Sequence, residues 1–401
     1  MERIHSAFLK IMHSAMQGET LRSFEGLTAE DWKELFTLAE IHRVLPLVYQ
    51  TVYAAPELGD TAAVRSRVRR LVMLQTMKTA EFLELYEKFR AEGIVPVVVK
   101  GMLCRRLYPQ PDLRLSDDED ILIPPEQFEK AHRILTDFGM YTKDDFDLSG
   151  ELDYYRTNST LYVELHRSLF PPDSEAYGAW NRFFDGLYER TVMIDGVRSL
   201  CHTDHLMYLL CHAFKHFLHS GFGVRQVCDI VLYANAYGSE IDWERLYRNC
   251  CEIKGEVFTA ALFQIGAKHL GFDPEKACYP ALWQKIETDE TAMLEDLLAG
   301  GIYGSATMDR RHSSGITLSA VTADRQGKKA KASLKSTLFP SAKSLEGRFP
   351  YLKKHPYLLP AAWVVRLARY GVEVLGGKNA AESVKIGSRR VELLREYKVI
   401  R

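Results

Sequence analysis

Residues 95–124 read VPVVVKGMLCRRLYPQPDLRLSDDEDILIP, and the fold turns on them. The β-branched run Val95 to Val99 has the composition of a buried strand. Lys100-Gly101 breaks it, Met102 to Tyr108 suits a short helix, and Pro109 and Pro111 open a loop. Asp118-Glu119-Asp120 then runs into Ile121-Leu122-Ile123, a second strand stopped by Pro124-Pro125. Side chains on a strand alternate, so Asp118 and Asp120 share a face. Two carboxylates side by side repel each other unless a cation lies between them. Hard oxygen donors of this kind suit magnesium, which keeps some waters and takes further ligands from phosphates.

A strand, a glycine turn, a short helix and a strand bearing Asp-x-Asp resemble the core of the polymerase-β-like nucleotidyltransferase superfamily. More narrowly, Lys100-Gly101, Tyr108-Pro109, then Arg114-x-x-x-Asp118-x-Asp120 and an apolar triplet resemble a family of bacterial proteins known as uncharacterised nucleotidyltransferases. The resemblance implies an α+β fold, a small mixed β-sheet nucleotidyltransferase core flanked by N-terminal and C-terminal helical regions. It implies transfer of a nucleoside monophosphate from a nucleoside triphosphate such as ATP to an acceptor, with release of pyrophosphate. Asp118 and Asp120 would bind Mg2+, with Mn2+ as a substitute. The superfamily has Gly-Ser or Gly-Gly after its first strand, whereas Met102 follows Gly101 here. Lys100 is therefore read as the positive charge at the nucleotide phosphates, and Gly101 as the residue that lets backbone amides approach them. Arg114 either clamps a phosphate or ties the loop to Asp118.

At 401 residues the chain is longer than one compact domain needs, and two or three are expected. The regions read are 1–92, helical; 93–200, the nucleotidyltransferase core; 201–300, helical; and 301–401, a basic, proline-containing tail. Lys+Arg 52 against Asp+Glu 53 gives no global attraction to nucleic acid, which stays a possible partner that nothing in the charge balance indicates. Seven cysteines without paired spacing read as reduced thiols of a cytoplasmic protein. The start, MERIHSAFLKIMHSAM, is amphipathic but lacks the apolar core of a signal peptide, and no apolar run is long enough to span a bilayer.

Thr28 with Asp31 three residues on is close to a capping box, and Trp32, Leu35, Phe36 and Ala39 continue as an apolar stripe. The following LAEIHRVLPLVYQ also resembles the family, and His42 within it reads as a packed or hydrogen-bonded histidine. A long helix is expected from Thr61 to Ala91, with Arg65, Arg67, Arg69 and Arg70 on a solvated face and Gly93 as its stop. Beyond the Asp-x-Asp strand, Phe128, Ala131, Ile134 and Leu135 mark the next helix, which Gly139 ends.

Thr160 to His166 alternates, placing Tyr162, Glu164 and His166 on one face. A two-metal phosphoryl site needs a third carboxylate on a neighbouring strand, and by resemblance Glu164 fills that place. His166 is read at the substrate or as structural. Asp195-Gly196 centres a hairpin over residues 191–200. Thr203-Asp204 is expected to cap a helix bearing His205, His212, His216 and His219, the last three on one face. His212 and His216 have the two-ligand spacing of zinc helices, but no Glu stands between them in the metalloprotease arrangement. The family carries His-x-x-x-His here, followed by Arg225-x-x-x-Asp229, which implies a wall of substrate-side residues facing the active-site cleft.

From Asp289 the pattern weakens, Ser305 to Ser333 reads as irregular, and Gly327 to Lys331 as a basic linker. Between Arg325 and Val372 the only acidic residue is Glu346, amid many lysines, arginines and aromatics. Its prolines favour an extended strap over the enzyme, ahead of contact with a membrane or nucleic acid. Two rival functions stay open beside the transferase: a silent nucleotide- or partner-binding protein that keeps the fold, and a metal-dependent phosphotransferase or hydrolase built on the histidines. Small molecule, carbohydrate, peptide, protein and RNA all stay open as the acceptor.

Overall fold

The computed structural model describes residues 2–143, 151–302, 308–325, 342–345, 349–365 and 380–401. The N-terminal helices are α1 (Arg3–Met16), α2 (Ala29–Ile41), α3 (Leu45–Val52) and α4 (Ala62–Ala91). The cap of α2 is the box read from sequence: Asp31 N–H donates to Thr28 Oγ1 at 3.2 Å, and Thr28 N–H donates to Asp31 Oδ2 at 2.7 Å. The 30 residues of α4 end two residues before Gly93, whose φ of 76° is the left-handed stop that glycine makes cheaply.

The core then alternates β1 (Val97–Val99), α5 (Gly101–Arg105), β2 (Glu119–Leu122), α6 (Phe128–Asp137), β3 (Met140–Tyr141), β4 (Leu152–Arg156) and β5 (Tyr162–His166). The hairpin β6 (Thr191–Ile194) and β7 (Val197–Leu200) completes a seven-stranded mixed sheet of order β3-β4-β5-β2-β1-β7-β6. Its turn holds Asp195 and Gly196 at φ 47° and 82°, both positive as a type I′ turn requires. Strand β1 pairs antiparallel with β2 and parallel with β7, and β2 pairs parallel with β5. The fold is α+β, with helices flanking the sheet.

Strand alternation sorts the two faces. Val98, Ile121, Ile123, Val163 and Leu165 pack on one side with Phe82, Leu85 and Phe89 of α4 and Phe128, Ala131 and Leu135 of α6. The other face carries Val97, Val99 and Leu122, which join a larger core with the helices α7 (His202–Leu218), α8 (Val224–Tyr237), α9 (Trp243–Glu252) and α10 (Glu256–His269). Side chains of α1, α2 and α3 belong to the same core, as do Val391 and Leu394 of the last helix, Ala380–Glu396. Asp120, Glu164 and His166 lie on this second face, toward α7.

Three expectations need correction. The first turn of α7 begins at His202 with Cys201 as N-cap, so Thr203 and Asp204 do not cap it. Thr203 instead accepts from Asp242 N–H, and Asp204 pairs with Arg190 and Arg245. Met308–Arg325 is a helix rather than irregular chain, because Ile316, Ala320 and Val321 recur at helical spacing and are buried. Ser, Thr and Arg around them dilute that signal in the sequence. Between Ala342 and Val365 the described chain is helical at Ala342–Leu345, Pro350–Lys353, Pro356–Leu358 and 359–365 rather than an extended strap, and the tail ends in the helix Ala380–Glu396. The basic linker, residues 327–331, lies outside the described residues. No helix among the described residues is long and apolar enough to cross a membrane.

Candidate active site

The register of the sheet builds the site. Asp120 on β2 stands beside Glu164 on β5, and Glu164 stands beside Asp153 on β4, so three carboxylates form one row. Asp118 enters just before β2. Lys100 follows β1, where φ 52° and ψ −126° are strained for a lysine, a cost of about 1–3 kcal/mol that functional sites tolerate. That conformation brings Lys100 Nζ to 2.9 Å from Asp120 Oδ2 and 3.8 Å from Asp118 Oδ2. The ammonium also lies 3.4 Å from His212 Nε2.

His166 lies among the acids. Its Nε2 is 3.0 Å from Asp120 Oδ1 and 3.4 Å from Glu164 Oε2, and its Nδ1 is 3.3 Å from Glu151 Oε2. Burial alone would push this imidazole down, but the three carboxylates hold it protonated, well above its ordinary pKa. Burial would likewise raise Asp118, but Lys100 and Arg225 outweigh it and lower the carboxyl to about 2. Glu164 goes the other way, pushed up to about 7 by burial and by the charges of Asp120 and Asp118. Lys100 stays charged despite burial because Asp120 and Asp118 face it.

Opposite this row stands α7. Burial, Lys100 and His216 keep His212 neutral, and its Nε2 lies 3.3 Å from His216 Nε2. His205, two turns earlier and fully buried, accepts from Lys100 N–H at 3.1 Å. Among the described residues, two groups of three or more side chains lie close enough to share an ion: Asp120-Glu164-His166 and Glu151-Asp153-Glu164. Neither His212 nor His216 belongs to them.

The turn after β1 is tightly determined. Glu119, wholly buried between the two aspartates, accepts from Met102 N–H at 2.8 Å, Ser116 Oγ at 3.0 Å and Arg105. Gly101 has φ 26°, and a Cβ there would lie 2.2 Å from Glu119 Oε2. Glycine is therefore needed for room as well as for conformation. Lys100 N–H and Met102 N–H, which flank Gly101, are both bound internally, to His205 and Glu119.

Arg114 holds Asp229 rather than Asp118. Its Nε and Nη2 lie 3.1 and 2.5 Å from the two carboxylate oxygens, and Tyr108 OH donates to Oδ1 at 2.8 Å. Arg225, one turn before Asp229 on α8, donates to Leu115 O. The Arg225-x-x-x-Asp229 pair thus clasps the loop that joins β1 to β2. Lys100, Gly101, Arg114, Asp118, Arg225 and Asp229 nonetheless border one small, narrow cleft beside the acidic row.

Residues 28–271 match the family model described as Uncharacterised nucleotidyltransferase, which is more than half of the chain. The chain belongs to that family. No curated protein and no solved structure matches it. The uncharacterised-nucleotidyltransferase span runs from the N-cap of α2 to just beyond α10, so it contains Lys100, the acidic row, His166, the α7 histidines and Arg225. Sequence reasoning missed Glu151, Asp153 and the buried Glu119 network. A second acid-x-acid pair was legible in Glu151-Leu152-Asp153, alternating with buried Leu152 and Tyr154. As a donor set, hard carboxylate oxygens on adjacent strands fit a divalent cation of the magnesium type.

Proposed function

We propose that the protein is a metal-dependent nucleotidyltransferase that moves a nucleoside monophosphate from a nucleoside triphosphate to an acceptor hydroxyl or phosphate and releases pyrophosphate. The carrying observation is the neighbouring placement of Asp120 and Glu164 in register, with Asp118 reaching the same ammonium as Asp120. Residues 93–200 are taken as the catalytic core, and Asp118, Asp120 and Glu164 as the side chains that would hold Mg2+. A bound magnesium would offset charge on the triphosphate and its leaving oxygens. In this reading the acceptor oxygen attacks the α-phosphorus, the bond to the β-phosphate bridge breaks, and the acceptor proton passes to Glu164. Lys100 keeps Asp118 ionised and draws Asp118 and Asp120 to one point. His166 sets the direction of Asp120 and Glu164 through its Nε2. Arg114 and Asp229 position the loop that delivers Asp118. His212 and His216 present a neutral polar surface to the acceptor side. Seven unpaired cysteines support placing the enzyme in the reducing cytoplasm.

A second reading, a nucleotide-binding protein without turnover, draws on one observation: both amides flanking Gly101 are bound internally rather than offered to a phosphate. One experiment separates the two. Purified protein is incubated with each labelled nucleoside triphosphate, magnesium and cell extract, and pyrophosphate and labelled product are followed for wild type, Asp118→Asn and Asp120→Asn. Turnover in wild type with a loss of at least 100-fold in both variants is expected, roughly the scale of removing a charge-stabilising group. Equal turnover in all three would remove the carboxylates from the mechanism. Binding without any turnover would favour the second reading.

A further inference from the structure

The half of the sheet beyond β2 carries a row of tyrosines on the same face as the acids. Tyr162 on β5 stands beside Tyr155 on β4, and Tyr155 beside Tyr141 on β3. Tyr162 and Tyr155 stack at 4.9 Å between ring centres with 16° between their planes, and Tyr155 and Tyr141 lie at 6.0 Å and 37°. The Lys143 ammonium sits 4.7 Å from the centre of the Tyr155 ring. Neither large hydrophobic core includes these rings. Tyr162 and Tyr155 are half-buried, and Tyr141 is 44% exposed. Rings held in order on an uncovered sheet face leave apolar area for a ligand to bury.

The inner end of the row adjoins the acids. Glu119 stands beside Val163, so Asp118, one residue earlier, is level with Tyr162 on the neighbouring strand. Tyr162 OH donates to Glu164 Oε1 at 3.1 Å, which fixes the ring beside the same carboxylates. Tyr155 covers one face of Tyr162. The other face turns toward β2 and has no ring or cation against it among the described residues. Charge decides what can lie there. Asp118, Asp153 and Glu164 surround this ring, so they repel a phosphate wherever no metal intervenes, but not a flat, uncharged group. A nucleoside triphosphate has both parts: phosphates that magnesium would hold, and a neutral base. We propose that Tyr162, backed by Tyr155, is the platform on which the base of the substrate nucleotide stacks. Stacking uses the π-face that every base has, so the platform accepts several bases rather than reading one. The triphosphate rests on the transferase reading, whereas stacking of a base on Tyr162 does not.

Calorimetric titration with magnesium present tests it, using the four ribonucleoside triphosphates, the matching nucleosides and inorganic tripolyphosphate as probes. Tyr162→Leu removes the ring, and Tyr162→Phe removes only the hydroxyl that bonds Glu164. Thermal melts establish that both variants fold. Tyr162→Leu should bind nucleosides and triphosphates about 5- to 100-fold more weakly than wild type, with tripolyphosphate unchanged. Tyr162→Phe should bind all of them as wild type does. Tyr155→Leu, one strand further from Glu164, leaves Tyr162 unbacked and should lower the same affinities by a smaller factor. Equal affinities in wild type and Tyr162→Leu overturn the inference and leave the transferase reading standing. It is overturned too if tripolyphosphate weakens as much as the triphosphates, or if Tyr162→Phe weakens binding as much as Tyr162→Leu, because the change then acts through Glu164. If nucleosides bind and respond while no triphosphate binds, the platform is upheld and the transferase reading falls. If wild type binds neither nucleosides nor triphosphates, both fall.

Discussion

At the scale of single residues, Gly101 is the most constrained position in the site. Its φ of 26° disfavours any side chain, and the carboxylate that a Cβ would strike is held by Arg105, Ser116 and Met102 N–H. Glu119 therefore cannot swing away without stranding a buried guanidinium. Gly101→Ala should cost about 2–4 kcal/mol, combining backbone strain with overpacking. Urea unfolding measures it, and a loss below about 0.5 kcal/mol would mean that the turn is softer than its hydrogen bonds imply. The sequence made part of this legible. Period-two alternation places Asp118 and Asp120 apart from Glu119, and Glu164 beside them once the strands are adjacent. It does not reveal that Glu119 is buried with Arg105, since that pairing depends on how α5 folds back over β2. Nor does it reveal that Arg114 meets Asp229, 115 residues away.

That pair acts at the scale of elements. Arg114, Tyr108 and Asp229 fasten α8 to the loop before β2, all three side chains being buried. Removing one partner leaves the other as an uncompensated buried charge, whereas removing both does not. Asp229→Asn is expected to destabilise the protein by about 3–5 kcal/mol. Asp229→Leu combined with Arg114→Met should cost clearly less than the sum of the two single changes. Denaturant titration of the four proteins decides this, and simple additivity would show that the groups do not depend on each other. Element legibility followed the same divide. The long apolar period of α4, the capping box of α2 and the turn at Asp195-Gly196 are local signals. Strands β3 and β4 were not read because one is two residues long and the other carries Asp153, Tyr155 and Arg156 among its apolar positions. The helix Met308–Arg325 is held by its packing on Ala380–Glu396, as where Gly387 meets Ile316, and that is a distant contact.

Across the whole molecule, buried histidines and arginines staple distant parts of the chain. Asp296 on the helix Thr291–Gly300 pairs with Arg310 at 2.7 Å and with Arg390 of the last helix, and those arginines donate to Ser220 O and Phe217 O at the end of α7. The residues beyond the family span are thereby tied to the helix that faces the site. His42 does the same from the other end: its Nε2 lies 3.2 Å from Leu298 O, and its Nδ1 accepts from Val224 N–H at 3.3 Å. That bonding requires a neutral ring. Burial lowers its pKa to about 4, with the charges of His5 and Arg310 adding to the effect, and burial lowers His205 to about 3 and His219 to about 4. In the unfolded chain each would titrate near 6.5. Below that pH the unfolded state binds protons that the folded state refuses, so stability falls as pH drops. Each such histidine contributes a slope of up to about 1.4 kcal/mol per pH unit between roughly 6.5 and 4. His166 has the opposite sign: its raised pKa stabilises the fold below 6.5, and that contribution is lost as pH rises through the folded value. His42→Gln can keep one donor and one acceptor without titrating. Its stability measured by urea unfolding should therefore fall less steeply than that of wild type between pH 6.5 and 4, by about one proton's worth of slope. Parallel curves for the two proteins would mean that His42 takes up its proton in the folded state, against the bonding to Leu298 and Val224.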